Sequence, residues 1–329
     1  MVFGSSDQVI RWGIIGCGDV CELKSGPAFS KVEGSQLVAV MRRDFDKAKD
    51  YAARHNVERY YSDADALIAD PEVDAVYIAT PPSSHRDYAL KVAAAGKICC
   101  VEKPMAMNYK ECLEMNAAFS LKKIPLFVAY YRRSLPRFRQ IKIWLEQGLI
   151  GQVFHLQSVL RKPPSEIDIA GETNWRTQPH IAGGGYFVDL ACHGLDLFSY
   201  LLGDIIEAGG VASSQKKQYP AEDSVSASWK FANGITGSGS WHFIAQDLLD
   251  KVTIFGEKGT IEFAVFEDEP IRVSAENNTQ EIFIKHPEHV QYVHIQNMIR
   301  HLRDGITHPS TGESAAKANW VMDKILHIK

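Results

Sequence analysis

Residues 13 to 21 read Gly13-Ile14-Ile15-Gly16-Cys17-Gly18-Asp19-Val20-Cys21 and continue an apolar run that begins at Val9. Gly16 and Gly18 match the first two glycines of the dinucleotide fingerprint, in which the first permits a tight turn and the second lets a pyrophosphate approach the backbone. The N–H groups that open the next helix, at Asp19 and Val20, would bind that anion. A glycine turn without a ligand is the alternative, but its position between a strand and a helix favours a dinucleotide site.

From Val9 to about Val128, short apolar runs alternate with amphipathic segments of helical length, a rhythm typical of a parallel sheet with crossover helices. The spacing predicts helices over 44–55, with Asp44 as N-cap, and over 85–95, with Ser84 as N-cap. We therefore expect an α/β Rossmann domain with a doubly wound parallel sheet over residues 1–128. Its strands are nearly continuous in apolar residues, as in strands covered on both faces: Val9–Ile15, Gln36–Met41, Asp74–Ala79, Lys97–Val101 and Pro125–Ala129.

Beyond about residue 150 the pattern changes to strand-like runs that follow one another, separated by turns such as Asn233-Gly234 and Glu257-Lys258-Gly259. Such turns are typical of antiparallel hairpins. The residues 129–329 are therefore predicted to form an α+β domain with a large open, mainly antiparallel sheet, which serves substrate binding and oligomerisation. The clearest strand runs are Gln152–Leu160, Ser224–Phe231, Ile235–Phe243 and Lys251–Phe255, and helices near 288–304 and 313–327 close the chain.

The composition, with 329 residues of which 45% are hydrophobic and 23% charged, is that of an ordinary globular chain. Thirty-six basic and 40 acidic side chains give a net charge of −4, so we expect no nucleic-acid partner. The chain contains no apolar run of membrane-spanning length, and Met1 to Ile10 lacks the features of a secretory signal, so we expect a cytoplasmic protein with no membrane partner. The six cysteines lie mostly in apolar segments without C-x-x-C spacing, which predicts reduced core thiols.

The end of the second strand decides between the two nicotinamide cofactors, because an acidic side chain there accepts hydrogen bonds from the ribose and repels a 2′-phosphate. This chain has Arg42 and Arg43 at that point. Guanidinium groups form charge-assisted hydrogen bonds with phosphate, so we expect NADP(H) to be preferred. The arginines could instead be solvated, and Asp44 could reach a ribose if the turn is shifted, which keeps NAD(H) possible.

Three ionisable residues follow a glycine run: Asp189, His193 and Asp196, in a stretch with helical periodicity. Spacings of four and three residues place side chains on one face of a helix. Asp189 could then orient and stabilise His193 as a proton acceptor near neutral pH. A core or surface histidine is the alternative. A metal site is a second alternative, but this pattern would need ligands from elsewhere in the chain, and we expect no metal.

Two loops leave apolar runs at the carboxyl edge, where open α/β sheets bind their ligands. Glu102-Lys103-Pro104 follows the run that ends at Val101, and Lys103 there could donate to a substrate oxygen. A solvated lysine is the alternative. Thr80-Pro81-Pro82-Ser83-Ser84-His85 leaves the run that ends at Ala79, and its prolines fix the path of the loop. We assign five residues of these loops to the cofactor site: Thr80, Pro81, His85, Glu102 and Lys103.

These motifs together resemble the glucose-fructose oxidoreductase / inositol dehydrogenase / rhizopine catabolism (Gfo/Idh/MocA) family of nicotinamide-dependent dehydrogenases, over nearly the whole chain. The resemblance implies that Lys103, Asp189 and His193 are catalytic, that Trp175 and Arg176 lie near the nicotinamide and the substrate, and that the second sheet forms an oligomer interface. The chain departs from the family at Cys21, the third fingerprint position, and at the arginines after the second strand. The motifs that carry the resemblance are Gly16-Cys17-Gly18, residues 80–85, residues 102–104, Asn174-Trp175-Arg176 and residues 183–196.

We therefore expect an oxidoreductase that moves hydride between NADP(H) and a carbinol carbon of a sugar, cyclitol or related polyol. His193 would exchange the hydroxyl proton and Lys103 would polarise the oxygen, with Tyr131, Asp189 and Asp196 also contacting substrate. Two alternatives stay open: a redox-neutral sugar-modifying enzyme that retains its cofactor, and a sensor that binds a dinucleotide without turnover. Substrate specificity should lie in the loop from about Arg161 to Ala182, and we expect a homodimer or homotetramer.

Overall fold

The computed structural model describes residues 8–23, 25–276 and 278–328. Its first part alternates strands and helices as the sequence predicts. The elements are β1 (Ile10–Ile15), α1 (Asp19–Leu23), α2 (Gly26–Lys31), β2 (Ser35–Met41), α3 (Phe45–Arg54), β3 (Arg59–Tyr61), α4 (Ala64–Ala69), β4 (Ala75–Ile78), α5 (His85–Ala94), β5 (Ile98–Val101), α6 (Tyr109–Lys122) and β6 (Leu126–Val128).

The strands of this part form a parallel sheet of six described strands in the order β3-β2-β1-β4-β5-β6. This is the order of a Rossmann fold, and the strand order reverses between β1 and β4, where such sheets bind ligands at their carboxyl edge. The aromatic ring of Phe29 packs between Trp12 and Tyr77, with ring centroids 4.8 and 5.1 Å away. All three side chains are completely buried, so α2 is held against the middle of the sheet.

The second part is built on a sheet of eight described strands in the order β14-β13-β12-β11-β7-β10-β9-β8. Its neighbours are antiparallel except for β7 and β10, which run parallel. The elements are α7 (Pro136–Glu146), β7 (Val153–Arg161), α8 (Glu166–Ile169), α9 (Pro179–Ala182), α10 (Cys192–Leu202), β8 (Ile205–Ser213), β9 (Ser224–Phe231), β10 (Thr236–His242), β11 (Leu249–Gly256), β12 (Gly259–Phe263), β13 (Ile271–Ala275) and β14 (Asn278–Ile282), and α11 (Tyr292–Asp304) and α12 (Gly312–Leu326) follow.

The chain forms two compact units, and their limits differ from the domains expected at 1–128 and 129–329. One unit comprises the described residues up to Leu135 together with Pro287–Ala316, and the other comprises Pro136–His286 and the described residues from Lys317 onward. The first unit thus includes α11, because Ile295, Met298 and Leu302 of that helix pack into the same buried cluster as β1 and β2. The chain returns to the first unit after the second sheet, which a single boundary could not describe.

The open face of the second sheet is polar across β9 and β10. Ser238 and Ser240 of β10 lie directly opposite Ser228 and Ser226 of β9, and residues paired in this way share a face. Ser226 and Ser228 are exposed, whereas Trp229 and Trp241 point to the other face and are buried. The sheet therefore buries these two tryptophans against the helical segment that contains Phe187 and Phe198 and leaves serine hydroxyl groups on the open face.

Two findings concern the chain as a whole. No helix in the part of the chain that the structure describes is long and apolar enough to cross a membrane. All six cysteines are buried thiols without disulfide bonds, as expected for core residues.

Candidate active site

The glycine loop, Gly16 to Gly18, connects β1 to α1 and is fixed to the end of β2. The N–H groups of Gly16 and Cys17 donate to the carbonyl oxygen of Met41 at 2.9 and 3.2 Å. Gly16 has a φ of +88°, and a Cβ built there would lie 2.7 Å from Cγ2 of Thr80. Both the left-handed backbone and the close approach of the loop after β4 therefore require glycine at this position.

The protein itself places no such requirement on Gly18. Its φ is outside the left-handed region, and a Cβ built there would meet only the carbonyl oxygen of Gly16, at 3.9 Å. An alanine would fit the fold, whereas the open space above Gly18 is what a pyrophosphate needs in order to approach the backbone. Asp19 and Val20 follow at the start of α1, exposed and half-buried. The loop therefore fits a bound dinucleotide.

Cys21, which stands where the fingerprint has its third glycine, is buried beneath this loop. Its thiol donates a weak hydrogen bond to the carbonyl oxygen of Gly16 at 3.9 Å, and its own carbonyl accepts one from the hydroxyl of Tyr51 at 3.0 Å. Next to it, α1 ends at Leu23 after five residues and a second helix begins at Gly26.

Two arginines follow β2, and one of them turns toward the glycine loop. Nη1 of Arg42 lies 3.5 Å from the carbonyl oxygen of Cys17, while Arg43 is exposed. Asp44 is the N-cap of α3, as predicted, and its carboxylate accepts a hydrogen bond from the backbone N–H of Lys47 at 3.1 Å. That bond lowers the pKa of Asp44. The charged group beside the glycine loop is therefore a cation, and the nearby carboxylate is engaged in capping.

Lys103 follows β5 at the same carboxyl edge of the sheet and is half-buried, and its peptide bond to Pro104 is cis. Glu102 holds its backbone from inside the unit, because Oε2 of Glu102 accepts a hydrogen bond from the Lys103 N–H at 3.0 Å. Oε1 accepts from the phenol of Tyr77 and, at 3.1 Å, from Nε2 of Gln291. Burial, with Glu102 beside it, raises the pKa of Tyr77 well above its ordinary value.

His85 is completely buried at the start of α5. Its ring nitrogens lie 2.7 Å from the carbonyl oxygen of Thr80 and 3.0 Å from that of Pro104, so the ring joins the loops that follow β4 and β5. Burial lowers the pKa of His85. The assignment of Glu102 and His85 to the cofactor site stays a prediction. Both side chains face the interior and hold the loops in place.

The other predicted residues of the first unit line the edges of the same loops. Thr80 and Pro81 are half-buried. Ser84 is not the side-chain cap that we expected, since its hydroxyl donates to Oγ1 of Thr80 at 2.7 Å and to the carbonyl oxygen of Pro81 at 3.0 Å. Tyr131 is half-buried in the short 3₁₀ turn after β6, with the Arg132 guanidinium 5.0 Å from its ring centroid.

In the second unit, the predicted helix is a π-helical turn, Phe187–Ala191, followed by α10. π-Helical turns are rare and are frequently found at functional sites. The ring of Phe198 in α10 stacks on Trp229 of the sheet, with centroids 6.0 Å apart. The turn carries Asp189 and the helix carries His193, so both residues stand on a firmly packed support.

The three ionisable residues of this helix differ in depth. His193 and Asp196 are 5% and 1% exposed, and the ring of His193 meets that of Phe266 edge-on, with centroids 5.8 Å apart. Asp189 retains 17% of its side-chain exposure. Buried ionisable groups on an apolar helix are typical of functional sites. Asp189 is therefore the accessible carboxylate of the set, while Asp196 supports the helix from within.

Arg176 lies beside Asp189. Its Nε is 3.5 Å from Oδ2 of Asp189, and its guanidinium lies over the ring of Trp175, 4.6 Å from the centroid. Asn174 fixes this corner, because its Oδ1 accepts from the Arg176 N–H at 3.1 Å and its Nδ2 donates to the hydroxyl of Tyr186 at 2.7 Å. The structure thus brings Arg176 to the carboxylate that sequence analysis placed at the substrate.

A cavity of about 230 Å³ opens beside Asp189 within the second unit. Tyr186 forms part of its wall, and the tyrosine hydroxyl donates to Oδ2 of Asp168 at 2.6 Å. Burial and this hydrogen bond raise the pKa of Tyr186 to about 12. The lining residues are Lys162, Pro163, Ser165, Arg176, Tyr186, Asp189, Leu190 and Phe243. Sequence analysis gave Tyr186, Asp168 and Lys162 no role, although Lys162 and Asp168 lie in the loop to which it assigned specificity.

Glu222 is a further residue that sequence analysis missed. Its Oε1 accepts a hydrogen bond from the N–H of Gly185 at 2.9 Å, just before the π-helical turn. The carbonyl of Gly185 in turn accepts from the N–H of Asp189 at 3.2 Å. Burial raises the pKa of Glu222. The carboxyl group therefore anchors the start of the segment that carries Asp189, and no local motif marks it.

Comparison with known proteins agrees with this arrangement. The family described as "Oxidoreductase family, NAD-binding Rossmann fold" matches residues 10–130, and the "GFO/IDH/MocA C-terminal domain" matches residues 138–262. An oxidoreductase of Formosa agariphila is 41% identical over 317 residues, which cover 95% of this chain and 97% of the relative. The chain belongs to the Gfo/Idh/MocA family. It is a nicotinamide-dependent oxidoreductase, as the resemblance implied.

More distant relatives share the fold. A trans-1,2-dihydrobenzene-1,2-diol dehydrogenase of Bos taurus is 28% identical over 253 residues, covering 77% of this chain and 73% of the relative. The solved structure of a levoglucosan dehydrogenase in complex with NADH and levoglucosan superposes with a TM-score of 0.85 at 24% identity, covering 97% of each chain. An aldose-aldose oxidoreductase from Caulobacter crescentus superposes with a TM-score of 0.87 at 22% identity, again covering 97% of each chain.

Proposed function

We propose that this chain is an NADP(H)-dependent oxidoreductase that moves hydride between the nicotinamide and a carbinol carbon of a sugar, cyclitol or related polyol. The observation that carries the proposal is the glycine loop, where Gly18 is open to a pyrophosphate and Arg42 supplies a cation. The substrate class is supported by the names of relatives, which act on a dihydrodiol and on 1,5-anhydro-D-fructose.

The preference for NADP(H) rests on which charged groups stand next to the glycine loop. Arg42 reaches toward the Cys17 carbonyl oxygen, and a guanidinium there can bind a 2′-phosphate with two parallel hydrogen bonds. Exposed Arg43 is a second cation at the same turn. Asp44, the group that would favour NAD(H), is occupied as the cap of α3. A ribose without phosphate would therefore find no carboxylate ready to accept its hydroxyl groups.

When bound, the nicotinamide would supply the hydride acceptor or donor of this reaction. In the oxidative direction His193 would take the proton of the substrate hydroxyl group. Lys103 donates a hydrogen bond to the same oxygen and stabilises the charge that develops there. Asp189 stabilises the imidazolium of His193 once it is formed. General acid–base catalysis of this kind contributes about 10²- to 10⁴-fold to the rate.

The remaining predicted residues receive roles in the same proposal. Trp175 and Arg176 lie near the nicotinamide and the substrate, and Arg176 is already paired with Asp189. Tyr131 contacts substrate from the turn after β6. Asp196, being buried, contributes to the site by holding α10 and His193 in position.

A panel of sugars, cyclitols and aldehydes, each offered with NADP⁺, NADPH, NAD⁺ and NADH, tests the proposal by absorbance at the reduced-nicotinamide band. We expect turnover with at least one polyol and a higher kcat/KM with the phosphorylated cofactor. Cofactor that stays bound through purification, with a rearranged product and no net absorbance change, would identify a redox-neutral enzyme instead. Binding of dinucleotide without turnover of any compound would identify a sensor.

We also propose a cytoplasmic homodimer or homotetramer that associates through the open face of the second sheet. The paired serines on that face present small side chains and a flat surface, to which a second copy could apply itself through hydrogen bonds and water. Light scattering at micromolar concentration would report a mass of at least two chains. A mass of 36.7 kDa, that of one chain, would contradict this assembly.

A further inference from the structure

We propose that the cavity beside Asp189 binds the carboxylate of a small sugar acid, and that Lys162 and Arg176 recognise it. This inference rests on the proposed function and narrows its substrate class from sugars, cyclitols and related polyols to acidic monosaccharides. It starts from two cations, one accessible carboxylate and an apolar wall, all of which line one cavity of the second unit.

Lys162 differs from the basic residues around it. Its neighbour Arg161 pairs with Asp247 at 2.8 Å, and Lys251 on the adjacent strand pairs with Glu262, also at 2.8 Å. The Lys162 ammonium has no carboxylate within ion-pair distance among the described residues, although its side chain lines the cavity. An unpaired cation at a cavity rim leaves a charge for a ligand to neutralise.

The backbone of Lys162 is nevertheless fixed. Its N–H donates to the carbonyl oxygen of His242 at 2.8 Å, and its carbonyl accepts from the N–H of Ala245 at 3.1 Å. These two hydrogen bonds place Lys162 directly after β7, tied to the end of β10. The backbone that carries the ammonium is therefore ordered, so only the lysine side chain has to be ordered when it meets an anion.

Arg176 supplies the second cation in a geometry that suits a carboxylate. One edge of its guanidinium, at Nε, faces Asp189 at 3.5 Å, and its plane rests on Trp175. No hydrogen-bond partner from the described residues occupies the two terminal amino groups, which form the planar fork that carboxylates accept. The accessible charges of the cavity, two positive and one negative, favour an anion.

The apolar lining and the volume of the cavity suit a sugar of monosaccharide size. Tyr186 and Phe243 present aromatic faces with centroids 5.4 Å apart, and Pro163 and Leu190 extend this apolar wall. The Tyr186 hydroxyl is held by Asp168, so the wall is rigid. A volume of about 230 Å³ lies below the roughly 300 Å³ at which pockets for drug-sized ligands begin, so the cavity suits a small sugar ring.

Calorimetric titration of the protein saturated with NADP⁺ tests this inference, with D-glucuronate, D-glucose and D-glucose 6-phosphate as probes. We expect D-glucuronate to bind at least about tenfold more tightly than D-glucose. Lys162→Met should weaken D-glucuronate binding about three- to tenfold and leave D-glucose binding unchanged, and Arg176→Gln should weaken D-glucuronate binding by more than it weakens D-glucose binding. Arg161→Met is the matched control, because that residue is already paired with Asp247, and it should change neither affinity.

Three results would overturn the assignment: equal or tighter binding of D-glucose, preference for the sugar phosphate, or equal weakening of both sugars by Lys162→Met. Because the measurement is of binding, its failure is distinct from failure of the proposed function. Tight, Lys162-dependent binding of D-glucuronate without nicotinamide reduction by any compound would support the carboxylate site and refute the proposed reaction. Reduction by neutral sugars that is insensitive to Lys162→Met would do the reverse.

Discussion

Gly16→Ala should mainly destabilise the fold, whereas Gly18→Ala should mainly weaken cofactor binding. At Gly16, alanine would adopt φ of +88° and place its Cβ 2.7 Å from Cγ2 of Thr80. The left-handed conformation costs about 1–2 kcal/mol and the steric overlap about 1–3 kcal/mol, so we expect the free energy of unfolding to fall by about 2–5 kcal/mol. At Gly18 the Cβ meets nothing closer than 3.9 Å, and alanine should leave this energy unchanged or raise it by about 0.4–1 kcal/mol.

Gly18→Ala should weaken cofactor binding although it leaves the fold intact. The added methyl group occupies the space that the pyrophosphate needs, so Gly18→Ala should raise the Kd for NADP⁺ at least about tenfold, which corresponds to about 1.4 kcal/mol. Urea unfolding without cofactor and fluorescence titration with NADP⁺ measure the two effects. Gly96→Ala is the control for Gly16, because Gly96 has a φ of +75° with no neighbour within 4 Å. A Gly18→Ala protein that binds NADP⁺ like the wild type would refute a pyrophosphate above Gly18.

Substitutions at Arg42, Asp189 and His294 should each change one measurable property. Arg42→Ala should weaken NADP⁺ binding by about 1.5–3 kcal/mol and leave NAD⁺ binding unchanged in the same titration, whereas equal loss for both would contradict phosphate recognition. Asp189→Asn should lower kcat less than loss of the histidine that it stabilises, with unchanged NADP⁺ affinity, as steady-state kinetics would report. Burial lowers the pKa of His308 to about 4 and that of His294 well below its ordinary value. In the unfolded chain a histidine titrates near pH 6.5, so the unfolded state takes up protons below that pH while these two buried rings stay neutral. The free energy of unfolding should therefore be unaffected by the two histidines above pH 6.5 and should fall below it by up to about 1.4 kcal/mol per pH unit for each histidine. His294→Leu should reduce this slope, as urea unfolding between pH 4.5 and 8 would measure.

The first unit was largely predictable because its central strands are covered on both faces and so appear as apolar runs. β1, β2, β4, β5 and β6 all coincide with predicted runs within a few residues. The edge strand β3 was missed, since Arg59–Tyr61 has only three residues and each is half-exposed. An edge strand of this kind lacks the apolar signal that burial on two faces produces.

In the second unit the hairpin turns at Asn233-Gly234 and Glu257-Lys258-Gly259 were predicted and are confirmed by the antiparallel pairs β9–β10 and β11–β12. The polar open face was not foreseen, because alternation shows that one face is buried but not how the other face is used. The parallel pairing of β7 with β10 could not be predicted from the sequence either, since it joins residues about 80 positions apart.

The residues of the site that were predicted are those marked by local sequence patterns, and those that were missed depend on long-range contacts. The glycine loop, Lys103 and the Asp189–His193 spacing are local patterns, and each lies where a strand ends or a helix turns. The pairing of Arg176 with Asp189 and the bond from Tyr186 to Asp168 depend on the path of the loop between them. No periodicity encodes that path.

The proposed chemistry is tested most directly by measuring single-turnover hydride transfer in the His193→Asn variant. The variant is saturated with NADP⁺ and mixed with an excess of a polyol that the wild-type protein oxidises. Stopped-flow absorbance at the reduced-nicotinamide band isolates the transfer step from product release. We expect the rate constant to fall by about 10²- to 10⁴-fold, with the Kd for NADP⁺ nearly unchanged, because the imidazole serves the substrate proton. A rate constant within twofold of the wild type would contradict the account and would leave Lys103 as the leading proton donor.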